Sequence, residues 1–276
     1  MKRKMLYAFT VMLVWASLVN SLTAQTFLMR PIPENKAKFG ISFMHPSLDI
    51  PNMEHTAFSG LYDLYFNIPL GSVVNIVCSL PIDWYKYKHT SSFFSIERSE
   101  KEIGNIYIGI QTRGGILPEG GWSLSLGTFL QTAGKRVWIG QWANYYDVYK
   151  VWEDAFTFSG DVSYRNNASG DFMWGFEIGP RIVIPIDYDA ELFTNYEITG
   201  GFTVRKVIIL SELLGRAIVT EKTLKPSERF DHFITFGAQL TGNVLRPGIF
   251  LQIPLDKDFR DIVSYVLGFK TEYTLR

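Results

Sequence analysis

The chain has 276 residues, and its 27 lysines and arginines balance its 27 aspartates and glutamates. With no net charge and no basic tract, it lacks the electrostatic signature of a nucleic-acid-binding protein. The single cysteine, Cys78, excludes an intrachain disulfide framework. Aromatic residues make up 15% of the chain and glycines number 23. This composition, with few helical patterns, is typical of an all-β protein.

The N-terminus has the regions of a secretory signal peptide. MKRK is cationic, MLYAFTVMLVWASLVN is apolar, and SLTAQ supplies small residues for cleavage after Ala24. An uncleaved membrane anchor is the alternative, but the apolar stretch is short for a span. We therefore expect a signal peptide at residues 1–24 and a single mature domain at residues 25–276. Cleavage would remove three basic residues and leave 24 against 27 acidic ones, a net charge of −3.

The mature chain consists largely of segments near ten residues long that alternate between apolar and polar positions. In the clearest of them, Phe172 and Trp174 share one face while Glu177 and Arg181 share the other. This period of two predicts β-strands, each with one apolar face and one polar face. The stretch 207–219 also fits a short helix, and we count it as a strand. The predicted strands are KFGISFMH, LYDLYFNIPLG, SVVNIVCSLPI, NIYIGIQTR, WSLSLGTFLQT, AFTFSGDVSYR, DFMWGFEIGPRIVI, ELFTNYEITGGFTV, VIILSELLGRAIV, DHFITFGAQL, RPGIFLQIPL and SYVLGFKTEYTLR.

The links between these strands alternate in length along the chain. One side has short turns such as NNASG, whereas the other side has long links at 45–59, 83–102, 133–155 and 220–230. Short turns at one end and longer loops at the other are typical of outer-membrane barrels. About twelve strands, an even number, would let the last strand pair with the first. The sequence therefore predicts an up-and-down antiparallel transmembrane β-barrel in a bacterial outer membrane, with a soluble β-sandwich as the alternative.

The polar strand faces would line the interior of this barrel. Acidic and basic groups are nearly balanced there, which favours paired structural networks over a charge-selective filter. A barrel of about twelve strands is expected to enclose a narrow passage or a ligand-sized lumen. The predicted lumen-lining charged residues are Lys38, Asp63, Asp161, Arg165, Glu177, Arg181, Glu197, Lys270 and Glu272.

One long link, GKRVWIGQWANYYDVYKVWED, is rich in aromatic residues. These rings fit an interfacial aromatic girdle where strands leave the bilayer. They also fit an extracellular vestibule that binds a hydrophobic or sugar ligand by stacking. The candidate ligand-binding residues of this loop are Trp138, Trp142, Tyr145, Tyr146, Tyr149 and Trp152.

The segments YFNIPLGSVVNIVCSLPI and RPGIFLQIPLDKDFRDIVSYVLGFKTEY resemble the strand–PL–strand phrases of uncharacterised outer-membrane transporter-like barrels. These include relatives of barrels associated with uptake of aromatic or other hydrophobic compounds. The aromatic-alternating C-terminal strand similarly resembles the closing strand of bacterial outer-membrane proteins. The resemblance implies an outer-membrane channel for passive uptake of a small solute, with a hydrophobic compound as one candidate. Its implied partners are outer-membrane lipid, the solute and the barrel-insertion machinery.

Two other functions remain open. A surface adhesion or structural barrel would bind ligands through the aromatic loops. A barrel lipid hydrolase would use His89 and Ser91, whose H-x-S spacing resembles the catalytic pair of outer-membrane phospholipase A. No Asn precedes this His to orient its ring, and no metal-ligand or phosphate-binding motif occurs in the sequence. We therefore expect a non-enzymatic protein with no metal, no cofactor and no nucleic-acid partner.

Overall fold

The computed structural model describes residues 36–90, 95–113, 121–135, 137–166, 172–220, 225, 228–242 and 244–275. The predicted signal peptide at 1–24 lies outside these residues. Two short helices, α1 (Trp138–Ala143) and α2 (Lys257–Arg260), and a 3₁₀ turn (Val148–Lys150) occur between the strands. The strands in this part of the chain are β1 (Lys38–Leu48), β2 (Met53–His55), β3 (Gly60–Leu70), β4 (Val74–Thr90), β5 (Ser95–Ile103), β6 (Tyr107–Arg113), β7 (Gly121–Phe129), β8 (Ala155–Asn166), β9 (Phe172–Pro185), β10 (Glu191–Val204), β11 (Val207–Ile218), β12 (Phe230–Leu240), β13 (Leu245–Pro254) and β14 (Val263–Thr274).

Twelve of these strands form a closed antiparallel barrel. Its ring order is β1, β3, β4, β6 and then β7 to β14 in sequence, and β14 returns to pair with β1. The closing ladder runs from Lys38 opposite Thr274 to Pro46 opposite Val266. The predicted strand count and the predicted pairing of the last strand with the first are therefore confirmed. Closure satisfies the backbone groups that an open sheet would leave at its edges.

The two faces of the barrel wall have opposite polarity. Outward positions carry exposed apolar side chains such as Ile198, at 59% exposure, and Ile249, at 61%. Inward positions on the same strands carry buried polar groups such as Glu197 and Gln252. A β-sandwich would bury its apolar faces against each other. The sandwich alternative is wrong, and the outer face has the apolar belt that is typical of outer-membrane barrels.

The stretch 207–219, which also fitted a helix, contains strand β11. It pairs with β10 from Val207 opposite Val204 to Ile218 opposite Phe193, and it pairs with β12 on its other side. Burial alternates along most of the strand, because Ile209 is exposed on the outer face while Glu212 is buried on the inner face. Paired on both sides, this segment completes the ring.

The link 83–102 was predicted as a long loop, and this prediction is wrong. Strand β4 continues to Thr90, and its upper part pairs with β5 from Ile82 opposite Ile103 to Thr90 opposite Ser95. This upper part stands clear of the ring, because the last β3 partner of β4 is Gly60, opposite Trp84. Strand β2 adds a third short strand there. A hairpin in water has polar residues on both faces, so it lacks the alternation that revealed the wall strands.

Among the described residues, no helix has both the length and the hydropathy of a membrane span.

Candidate functional site in the barrel lumen

Residues 137–152, here called the inner segment, fold into one end of the barrel lumen. This end, where β7 ends and β8 begins, is called the upper end. The segment links β7 to β8 and includes α1 and the 3₁₀ turn. Ile139, Ala143, Tyr149 and Val151 are each no more than 1% exposed. Ala143, Tyr149 and Val151 pack with apolar side chains at the upper end of the wall, including Leu61 and others of β7, β10 and β12. The top of the lumen is therefore filled by a small apolar core.

Aromatic rings form much of this core. The Tyr149 ring lies 6.1 Å from that of Phe129 and 5.8 Å from that of Phe193, measured between centroids. The Tyr145 ring lies 4.5 Å from that of Phe259, which belongs to α2. Such tilted and edge-to-face pairs stabilise an aromatic cluster beyond the burial of its area. They hold the inner segment against walls on both sides of the lumen.

Two polar contacts attach the inner segment to opposite walls. Lys150 Nζ lies 2.7 Å from Asp63 Oδ2 on β3, whose other oxygen accepts a hydrogen bond from Ser79. The Tyr149 hydroxyl donates to Asn195 Oδ1 on β10 at 3.0 Å. Strands β3 and β10 are six positions apart in the ring of twelve, so they face each other across the barrel. Lys150 and Tyr149 therefore bridge the diameter of the lumen.

Further hydrogen bonds bind the backbone of the segment to inward side chains. Asn195 donates to the Tyr146 carbonyl at 3.1 Å, and Arg216 donates to the Tyr145 carbonyl at 3.0 Å. The Arg216 guanidinium also lies 4.1 Å from the centre of the Tyr145 ring, a cation–π contact. On the wall across the lumen from Asn195 and Arg216, Asp83 of β4 accepts a hydrogen bond from the Gly140 amide at 3.1 Å. The segment thus has fixed contacts with four different strands.

Burial raises the pKa of the Tyr149 hydroxyl well above its ordinary value, so this group remains a hydrogen-bond donor over the working pH range. Burial also raises the pKa of the Tyr146 hydroxyl, and the negative charges of Glu197 and Glu177 raise it further. The hydrogen bond from Asn195 to the Tyr146 carbonyl places Tyr146 beside β10, the strand that carries Glu197. The inner segment therefore borders the charged part of the lumen.

All nine residues predicted to line the lumen lie on the inner face of the wall, and none is more than 6% exposed. Several form ion pairs: Arg181 with Asp161 at 2.6 Å, and Lys38 with Glu272 at 3.0 Å. Arg246, which was not predicted, also lies 3.5 Å from Glu272. The role of these nine residues in a passage stays a prediction.

Four other charged residues are buried in the described interior of the barrel and were not predicted from the sequence. Glu212 and Arg216 lie in the stretch that also fitted a helix, and Asp83 lies in the link predicted as a loop. Arg246 lies at the start of β13, within a predicted strand. Alternation was a weak signal for Glu212 and Arg216, because the inner face of β11 also carries apolar side chains, among them Leu210 and Leu214.

The five candidate aromatic side chains that the structure describes pack toward the interior of the barrel. Tyr146 and Tyr149 are buried inside the barrel, which makes the girdle prediction wrong for these two. Trp142, Tyr145 and Trp152 are partly buried against the same core. The physical reason is that the upper inner wall is itself apolar, so the rings are buried there instead of at the bilayer interface. The Trp138 side chain is outside the described part of the structure, and ligand binding by these residues stays a prediction.

Of the two residues of the hydrolase alternative, the described part of the chain includes His89 alone. His89 lies near the end of β4, opposite Met53 and Ile96 in the extended hairpin, and not in a loop as predicted. Ser91 lies outside the described residues. In the residues that are described, no group of three or more His, Cys, Asp or Glu side chains is arranged to hold a metal ion. The hydrolase function stays a prediction.

No family model and no curated protein matches the chain. Among solved structures, an outer-membrane channel from Pseudomonas putida F1 superposes with a TM-score of 0.61 at 8% identity, over 92% of this chain and 100% of that one. The chain is an outer-membrane β-barrel. The NanC porin is also similar, with a TM-score of 0.52 at 5% identity, over 87% of this chain and 100% of the porin. At these identities the likeness shows the fold alone.

Proposed function

We propose that this outer-membrane barrel is a channel for uptake of a small solute, and that the inner segment controls passage through it. The observation that carries the proposal is the bridge across the lumen from Asp63 on β3 to Asn195 on β10, through Lys150 and Tyr149. A segment in this position obstructs the upper lumen and would have to move for a solute to enter. The proposal is also supported by the fold shared with an outer-membrane channel.

The wall and the inner segment are held by different kinds of interaction. The wall is a continuous ladder of backbone hydrogen bonds closed on itself. The segment depends on side-chain contacts, each worth about 0.5–1.5 kcal/mol, or about 1.5–3 kcal/mol where a charge takes part. A few such contacts can be exchanged for contacts with a ligand, whereas the wall cannot open without unfolding. The inner segment is therefore the movable part of the channel.

The alternative of an adhesion protein depends on aromatic side chains presented at the surface. Tyr146 and Tyr149 are buried, so the loop offers fewer rings to an external ligand than the sequence suggested. We therefore retain a channel, and not an adhesion protein, as the proposed function.

Single-channel recording in planar bilayers tests the proposal. The mature chain, residues 25–276, would be compared with a variant in which residues 138–150 are replaced by a short Gly-Ser linker. We expect rare openings from the parent and frequent, larger current steps from the variant. Tyr145→Phe is the matched control, because it keeps the ring and removes none of the hydrogen bonds described above. Silence from both proteins, with heat-modifiable migration proving that both barrels are folded, would refute a channel.

A further inference from the structure

We propose that the lumen contains a binding site for one small ammonium cation, centred on Glu197 and lying next to the inner segment. This inference names the class of solute, so as a statement about transport it rests on the proposed channel function. Binding itself can be measured without transport.

The site is a continuous patch on the inner face of four neighbouring strands. Glu197 on β10 lies directly opposite Glu177 on β9. Two residues further along β10, Thr199 lies opposite Glu212 on β11, which in turn lies opposite Thr235 on β12. Because inward positions alternate along each strand, all five side chains project into the same part of the lumen.

Three of these side chains are buried and have polar oxygens with no hydrogen-bond partner in the described part of the chain. Among the described residues, neither carboxylate oxygen of Glu197 has a hydrogen-bond donor, and the same holds for the Thr199 and Thr235 hydroxyls. Glu197 is 1% exposed, Thr199 is 4% exposed and Thr235 is 0% exposed. A buried carboxylate without donors is strongly destabilising, unlike the paired Asp161. These oxygens can all accept hydrogen bonds, so they fit a ligand that brings donors.

The charges around Glu197 define the charge of that ligand. Glu177 and Glu212 repel the Glu197 carboxylate, while Arg165 and Lys270 attract it. With all five groups ionised, three carboxylates against two basic groups leave one negative charge uncompensated. One monovalent cation therefore neutralises the group, whereas an anion or a divalent cation would not.

An ammonium group fits better than a bare metal ion. The carboxylates of the described lumen are not arranged as a metal site. An ammonium carries three N–H donors, and carboxylate and hydroxyl oxygens are its natural acceptors. A neutral apolar solute would leave the Glu197 and Thr199 oxygens unsatisfied.

The site lies close enough to the inner segment to influence it electrostatically. Glu197 lies two residues from Asn195, which bonds to both Tyr149 and the Tyr146 carbonyl. The Glu197 charge also acts on the Tyr146 hydroxyl. A bound cation would therefore change the electrostatic surroundings of the segment that closes the lumen.

Isothermal titration of the refolded full mature chain with propylammonium chloride tests the inference. We expect one site per chain, with no binding of propanol or of sodium propionate at the same concentrations. Glu197→Gln, which keeps the shape and removes the charge, should weaken binding at least tenfold. Thr199→Val and Thr235→Val should each weaken it severalfold.

Two controls separate the site from general effects. Glu54→Gln removes an exposed acid in β2 outside the barrel, and Thr157→Val removes another buried hydroxyl without a hydrogen bond, on β8 outside the patch. Neither change should alter binding. Either of two results would overturn the inference. One is that propanol binds as tightly as propylammonium; the other is that the folded Glu197→Gln and Thr235→Val single variants both bind propylammonium as the parent does.

The inference and the channel function can fail separately. A barrel that conducts but does not bind propylammonium would refute the ammonium site and leave the channel. A barrel that stays silent without the inner segment, yet binds propylammonium through Glu197, would refute the channel and support the binding site.

Discussion

Replacing Lys150 by methionine should release the inner segment from the β3 wall. Methionine keeps the apolar stem but removes the ammonium that lies 2.7 Å from Asp63 Oδ2 and 3.5 Å from Asp147 Oδ2. A hydrogen bond between charged groups contributes about 1.5–3 kcal/mol. Asp63 keeps its hydrogen bond from Ser79, which places the loss toward the lower half of that range. A loss of about 2 kcal/mol corresponds to a roughly 30-fold change in an equilibrium constant.

The assay is the open probability of single channels in planar bilayers at fixed voltage and salt. We expect the ratio of open to closed time to rise by roughly 30-fold in Lys150→Met and to stay unchanged in Tyr145→Phe. A double-mutant cycle with Asp63→Asn tests whether the effect comes from the pair. Unchanged open probability in a correctly folded Lys150→Met barrel would refute the reasoning. The Lys150–Asp63 contact would then contribute nothing to the stability of the closed state.

Three further predictions concern other contacts. Tyr149→Phe removes one hydrogen bond worth about 0.5–1.5 kcal/mol, so it should raise open probability by several-fold in the same recordings, less than Lys150→Met. Arg181→Met leaves Asp161 buried without the partner that it has at 2.6 Å, and the barrel should lose about 3–5 kcal/mol of stability, measured by urea unfolding; an unchanged midpoint would contradict this. Burial lowers the pKa of His55 below 6.5, so NMR titration should give a midpoint under that value. The stability contributed by the neutral His55 ring is present above pH 6.5 and is lost as the pH falls toward the lowered pKa.

The wall of the barrel could be predicted from the sequence because its pattern is local. Each wall strand alternates in polarity by itself, as Trp174 and Glu177 show on β9, and lipid on one side forces that alternation. The pairing of the last strand with the first followed from an even strand count. The extended hairpin was missed because water surrounds it and no single face has to be apolar.

The inner segment could not be predicted because its contacts are distant in sequence. Tyr149 packs against Phe193, and Lys150 pairs with Asp63, 87 positions away. Nothing within the loop indicates that its rings turn inward. Glu197 was predicted as lumen-lining, but its missing donors depend on the register that sets it opposite Glu177. Register between strands is a property of the closed ring and is not encoded in one strand.

The extended hairpin makes the outer rim of the barrel uneven. Past its last β3 partner at Trp84, strand β4 continues to Thr90, and at about 3.3 Å per residue this adds roughly 20 Å of strand. On the far side of the ring, β9 and β10 are joined by only five residues, 186–190. The mouth therefore has a tall side and a low side. A molecule drifting along the cell surface meets a barrier from one direction and an open approach from the other.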